Sequence, residues 1–445
     1  MNKRDEILKM ISEYITEIQK SKSWTSGKDW IQYSGPWFDD SEYVSAVETL
    51  LDGWFILGKK GRQFEIDFSK HLGKEDGIIT NSGSSANLLM LAILRTKKGG
   101  NLPPGSKFIT PVVCFPTTLN PILQNGFEPV FVDVTLPSLN LDLDKVEEIL
   151  KADINKEIKG IIFAHVLGNP PDMDRLMKLV EEYNLIFLED TCDALGSTWD
   201  GKPLGSFGIM STCSFFPAHH MTTGEGGFVA TNSKSLRMTL ASLRDWGRAC
   251  YCNSITPGNV IDGSACGNRF KSWFKGHDDI LFDHRYVFDE IGYNLKPTEV
   301  QAAIGLAQLK KLDSMHLARK NNFKKLYEIF KPYEKYFYLP EKLEKADPSW
   351  FGFLVTIRDG APFSRSAIVE HFESAKIQTR SYFTGNALLH PAYESLAQKY
   401  STPREEFPMA TKSTLDSFFL GVYPGITEEQ MNYIKETLDR FMQSL

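Results

Sequence analysis

No stretch of this 445-residue sequence approaches the roughly 20 consecutive apolar residues that a helix needs to cross a bilayer, so a membrane-spanning role is not expected. Blocks of like charge are missing too. The 50 basic and 56 acidic residues give a formal net charge of −6, and the lysines and arginines are scattered, which leaves no footprint for nucleic acid. Low-complexity tracts and internal repeats are lacking, which excludes fibrous and solenoid architectures. Cysteine is scarce, with only Cys114, Cys192, Cys213, Cys250, Cys252 and Cys266. In a chain this long they do not make a disulfide scaffold, and core, metal or redox roles stay open.

What is present is the composition of a globular protein, 42% hydrophobic and 24% charged. The length exceeds the usual single-domain range and predicts a larger and a smaller domain. At the start, MNKRDEILKMISEYITEIQK spaces Ile7, Met10, Ile11, Tyr14, Ile15 and Ile18 at helical intervals among charges. That pattern suits an amphipathic helix and not a secretory signal, so a cytoplasmic location is expected.

Between about residues 75 and 235, short apolar runs alternate with helical patterns, the signature of an α/β fold with a mostly parallel sheet. GIIT (77–80), KFIT (107–110), PVFVDV (129–134), GIIFAHV (160–166), LIFLED (185–190), STCSFF (211–216) and GGFVAT (226–231) read as strands. Residues 84–97 and 173–184 read as helices between them, and 298–330 as one long helix leading out of the large domain. We place an N-terminal segment and large domain at 1–320 and a smaller α+β domain at 321–445. Residues 247–290 are rich in Gly, Asn, Asp, Cys and aromatics with weak periodicity, which marks a long functional or disordered loop.

Ligands on such sheets bind at the carboxyl ends of the strands. LIFLED ends in Glu189 and Asp190 there, and an ionised carboxylate at that place can keep a pyridine nitrogen protonated. Loop capping or plain solvent exposure are the alternatives. Asn81-Ser82-Gly83-Ser84-Ser85-Ala86-Asn87 joins a strand to a helix, which suits an anion site at the helix N-terminus or simply an N-cap with a turn glycine.

Four segments, SGSSAN, EDTCDALGS, SFFPAHHMTTGEGG (214–227) and GYNLKPTEVQAAIGL (292–306), resemble in order the signatures of the DegT/DnrJ/EryC1 aminotransferase family. The resemblance implies the fold of pyridoxal-phosphate (PLP) enzymes of fold type I, aspartate-aminotransferase-like. It also implies a homodimer with active sites at the subunit interface. By the same resemblance Asp190 pairs with the pyridine nitrogen, and Asp193 lies near the ring hydroxyl. Gly83, Ser84 and Ser214 bind phosphate, Asn294 reaches it from the neighbouring subunit, and Phe115 stacks on the ring.

One position departs from the aminotransferases. Where they carry the lysine that bonds the cofactor stands His219, followed by His220, and no lysine occurs between Lys202 and Lys234. Imidazole cannot make that bond, so the working cofactor would be pyridoxamine phosphate (PMP), while histidine can still move protons. The change resembles the family's nucleotide-sugar 3-dehydratases, which act on CDP- or GDP-linked sugars; decay to an inactive protein is the alternative. The CDP-sugar type resembles this chain in a cysteine beside the cofactor aspartate and in a CxC followed by a C-G-x-R-F-like segment. Cys192, Cys250, Cys252 and Cys266 would then hold a 2Fe-2S cluster, although 13 residues separate Cys252 from Cys266, a longer spacing than that pattern has. Zinc is the other reading of such a CxC. Cys114 and Cys213 read as core thiols. Arg380, in a segment resembling the sugar-nucleotide-binding part of these enzymes, could contact the diphosphate or make a surface ion pair. The implied partners are a nucleotide-diphosphate 4-keto-6-deoxy sugar and an NADH-dependent iron-sulfur flavin reductase.

Overall fold

A computed structural model describes residues 2–21, 23–249 and 269–445. Seven strands form the main sheet: β1 Asp76–Thr80, β2 Lys107–Pro111, β3 Glu128–Val132, β4 Ile158–Ala164, β5 Ile186–Asp190, β6 Met210–Ser214 and β7 Gly227–Thr231. Their order is β1-β7-β6-β5-β4-β2-β3, and β7 alone runs against the others. All seven runs read from the sequence are strands, and PVFVDV, GIIFAHV and STCSFF each end two residues early. PVFVDV breaks at Asp133, whose carboxylate accepts from the amides of Val134, Met409 and Ala410 instead of leaving its residue in the ladder.

Side chains alternate across the strands, so each strand feeds two cores. Phe108, Ile162, Leu188 and Met210 pack on one face, with Leu89 and Met90 of the helix Gly83–Ala92. Ile109, Ile161, Phe163 and Phe187 pack on the other, with Val146 of Leu143–Ala152 and Leu176 of Met173–Glu182. Asp142 and Asp172 cap the N-termini of those last two helices through their side chains, satisfying amides that have no intrahelical acceptor.

The single long helix expected over 298–330 is two, Glu299–Leu309 and Leu312–Phe330. The break falls at Lys310 and Lys311, which end the first helix and precede the second, and the Lys311 ammonium is held by Asp39 and Glu42. Leu326 and Phe330 of the second helix enter a separate core around the four-stranded antiparallel sheet Phe337–Tyr338, Gly352–Ile357, Ser417–Gly421 and Thr379–Arg380. Residues near the chain start reach the same unit, because the Ile31 amide donates to the Lys376 carbonyl and its carbonyl accepts from Gln378. Within the loop expected at 247–290, Phe270–Ser272 and Leu281–Asp283 pair as a short hairpin. Among the described residues no helix is long and apolar enough to cross a membrane.

Candidate active site

Every parallel strand whose carboxyl end faces the junction of the two cores delivers a residue to one cavity of about 430 Å³. Ser82, Gly83 and Ser84 follow β1, Phe115 follows β2, Ala164 and Asp190 end β4 and β5, and Ser214 ends β6. Residues that follow the helix Leu312–Phe330 close the other side, with Phe351, Arg380, Ser381, Phe383 and Phe419. The segment 384–387 is stitched to the end of β2, since Thr384 Oγ1 donates to the Cys114 carbonyl at 2.7 Å and Ala387 N to the Val112 carbonyl at 3.0 Å.

Asp190 is buried, and three donors converge on its carboxylate: Asn87 Nδ2 at 2.7 Å, Thr118 Oγ1 at 2.8 Å and the Cys192 amide at 3.1 Å. Asn87 is itself fixed by Thr212 Oγ1, which donates to its Oδ1 at 2.6 Å. A buried carboxylate so supported is aimed, not merely tolerated. Its neighbour Glu189 points to the opposite face, where it accepts from the amides of Gly205 and Gly208. Of the two acids at this strand end, strand alternation therefore leaves one for the cavity.

The helix Gly83–Ala92 starts at the cavity with Ser82 as N-cap, its Oγ accepting from Ser85 N at 3.1 Å. The amides of Gly83 and Ser84 have no intrahelical acceptor, and with Ser214 they line the cavity in an arrangement that could hold an anion. Gly83 is required there: a Cβ would lie 2.5 Å from Ser214 Cβ. A half-exposed Phe115 ring meets Phe383 edge-on at 5.6 Å.

His219 opens on the cavity, its ring 5.4 Å from that of Phe351. Its Nδ1 lies 3.3 Å from Asp193 Oδ1, an electrostatic contact too poorly aligned for a hydrogen bond. Burial pushes the Asp193 carboxyl up, and His219 opposes that shift. His220 turns away: its Nε2 meets the Ser349 carbonyl at 2.6 Å, and burial holds its pKa well below the usual histidine range. Among the described residues no lysine lines the cavity. Lys296 sits elsewhere, 3.1 Å from Asp245 and over the Trp246 ring.

Arg380 lines the cavity with its guanidinium 4.1 Å from the Tyr33 ring centre. The ion-pair alternative is not realised among the described residues, because its near polar partner is the Thr379 carbonyl at 2.8 Å. Tyr33 gives a place to the early segment YSGPWFDDSEY, and Ser34 next to it donates to the Ala218 carbonyl at 2.6 Å, tying that segment to the His219 loop. Asn294 is exposed and does not line the cavity of its own chain. Cys192 borders the cavity as a free thiol, pushed up by burial and then by Asp190. Cys250, Cys252 and Cys266 lie outside the described residues, so a cluster site cannot be assembled from them here. Cys114 and Cys213 are buried, as expected of core thiols.

Sequence reasoning missed Asn87, Thr118, Phe351, Phe383 and Arg319. Only Asn87 carried a local signal, as the last residue of the turn NSGSSAN. Phe351 and Phe383 line the cavity, whereas Thr118 acts through Asp190 and Arg319 through the His219 carbonyl.

This sheet order, with a buried carboxylate and an amide cradle at the strand ends, defines a PLP-dependent enzyme of fold type I. The chain belongs to the DegT/DnrJ/EryC1/StrS aminotransferase family, whose model matches residues 38–439. It is 40% identical to a dTDP-4-dehydro-2,6-dideoxy-D-glucose 3-dehydratase of Saccharopolyspora spinosa, over 99% of this chain and 92% of that protein. It is 38% identical to the lipopolysaccharide biosynthesis protein RfbH of Salmonella typhimurium, over 99% and 98% of the two. Among solved structures it resembles E. coli GDP-4-keto-6-deoxy-D-mannose-3-dehydratase with bound hydrated PLP, at 29% identity and a TM-score of 0.75, covering 92% of this chain and 100% of that one.

Proposed function

We propose that this protein is a PMP-dependent dehydratase that removes the C3 hydroxyl of a nucleotide-linked 4-keto-6-deoxyhexose in 3,6-dideoxysugar biosynthesis. One observation carries the reading: His219, and no lysine among the described residues, faces the cavity beside the cofactor positions. The residues fit the cofactor, since a supported buried carboxylate, an anion cradle that tolerates no Cβ and a facing aromatic ring surround one space. Names among the relatives support the substrate class, a nucleotide-linked keto sugar.

When bound, PMP supplies the amine that captures the C4 ketone and a pyridinium ring that accepts an electron pair. Asp190 holds the proton on the pyridine nitrogen, its carboxylate fixed by Asn87 and Thr118. Gly83, Ser84 and Ser214 hold the phosphate, with Asn294 of a second copy completing the cradle in a homodimer. Phe115 covers the ring. His219, which opens on the same space, would accept the proton released from the bound cofactor and return one to the leaving hydroxyl. Asp193 balances the imidazolium across 3.3 Å. Arg380, with no carboxylate to neutralise it among the described residues, turns to the diphosphate.

The electron supply is the finer part of the proposal. Cys192, Cys250, Cys252 and Cys266 would hold a 2Fe-2S cluster fed by an NADH-dependent iron-sulfur flavin reductase, and the CDP-sugar is preferred as substrate through the resemblance of this cysteine pattern alone. A second reading, a cluster-free enzyme regenerated by glutamate, is favoured by the likeness to the GDP-sugar dehydratases. Anaerobic incubation with CDP-, dTDP- and GDP-4-keto-6-deoxyhexoses, PMP and an electron donor tests both. Electron-dependent 3-deoxygenation with iron and sulfide in the protein is expected. Turnover that needs glutamate and no electrons supports the second reading, and transamination at C4 without loss of the C3 hydroxyl sinks the proposal.

A further inference from the structure

The helix Leu312–Phe330 carries Arg319 into the junction of the two cores, where it is 1% exposed. Buried guanidiniums ordinarily face a carboxylate. Arg319 instead spends its fork on backbone: Nη2 donates to the His219 carbonyl at 3.0 Å, and Nη1 to the carbonyls of Trp350 and Phe351, both at 3.4 Å. Its Nε has no acceptor among the described residues. Burial brings its pKa down to about 9, with Asp193 acting in the opposite sense, so the group is still a cation at neutral pH.

A buried cation without an ion pair and with one idle donor costs stability relative to an apolar side chain of similar size. What it holds is therefore of interest. Neither residues 219–220 nor 349–351 lie in a helix or strand, so their carbonyls have no ladder partners. His219 and Phe351 both face the cavity. One neighbour repeats the link between the segments, His220 Nε2 meeting the Ser349 carbonyl at 2.6 Å, and His316 Nδ1 ties the Arg319 helix to Ser349 Oγ at 2.7 Å.

We propose that Arg319 is the positioning residue for His219, its guanidinium clamping the His219 carbonyl to those of Trp350 and Phe351 and so setting where the imidazole stands in the cavity. The inference rests on the proton-transfer role proposed for His219. Lysine cannot replace the fork, because an ammonium is a compact point donor without its planar reach.

Arg319→Met and Arg319→Lys test the clamp in the PMP-loaded enzyme and in the cofactor-free protein. In variants that still unfold cooperatively, kcat should fall at least about tenfold, as expected for a misplaced reacting group. KM and the PMP Kd should change by less than about threefold, because the cradle and Asp190 are untouched. In the cofactor-free protein, carbethoxylation of His219 by diethyl pyrocarbonate, mapped by mass spectrometry against the exposed His277, should change at least about threefold. A folded variant with unchanged His219 labelling overturns the clamp, as does one with near-normal kcat when His219→Asn is itself impaired. Arg319→Lys keeps the test open if Arg319→Met does not fold. If His219→Asn turns over normally while Arg319→Met alters the labelling, the clamp is supported and the proton-transfer role is what falls.

Discussion

Replacing His219 by Asn isolates proton transfer from everything else in the cavity. The side chain is 16% exposed and its Asp193 contact is unaligned, so the change removes no buried hydrogen bond and should cost less than about 1 kcal/mol of stability. Asp190 and the Gly83–Ser84–Ser214 cradle use other atoms, and separate sites couple by only ~0.3–0.5 kcal/mol, so PMP affinity should change by about twofold at most. A positioned acid-base contributes about 10²–10⁴ in rate, which is ~3–5 kcal/mol of activation free energy. Dehydration should therefore fall by about that factor at near-constant PMP Kd. Anaerobic single-turnover quench, with released 3-deoxy product quantified by mass spectrometry and PMP binding by calorimetry, reads both quantities. A variant that keeps kcat within about threefold of the parent would refute a proton-transfer role for His219.

Borohydride reduction in the presence of PLP should leave the parent protein unlabelled and should label the substituted position in His219→Lys; labelling of Lys296 would instead restore an aminotransferase reading. Gly83→Ala places a Cβ 2.5 Å from Ser214 Cβ. Overpacking of that kind costs about 1–3 kcal/mol, so PMP affinity measured by calorimetry should weaken about fivefold or more, and unchanged affinity would mean that the anion cradle lies elsewhere. Burial lowers the pKa of His220 far below the usual value and that of His316 to about 3, with Arg319 adding to both shifts. The folded protein thus keeps both neutral while the unfolded chain protonates them near about pH 6.5. Their contribution is present above that pH and is lost as pH falls toward the folded values, by up to about 1.4 kcal/mol per pH unit for each histidine. Urea unfolding at several pH values should show this slope, and His316→Asn should remove one proton's share of it; a slope unchanged in the variant would contradict the assignment.

The strands were legible because a sheet covered on both faces writes itself as short apolar runs, and all the runs fell close to their expected bounds. Asp133 and Lys311 broke elements that periodicity ran through, since each side chain answers to groups far away in the chain. Family membership was legible from motifs that act locally: the turn at Ser82–Ser84, the strand end at Asp190 and the substitution at His219. Strand alternation alone could not say which acid of Glu189 and Asp190 enters the cavity, because the facing side depends on which helices cover the sheet.

The sequence by itself thus determined the class of chemistry, since the loss of one lysine removes a covalent anchor whatever surrounds it. The tertiary structure alone decided how His219 is held. Arg319 is 100 residues away along the chain, with no motif around it. Its place comes from geometry, because a buried charge must find partners in space, and the ones it finds are the carbonyls of His219, Trp350 and Phe351.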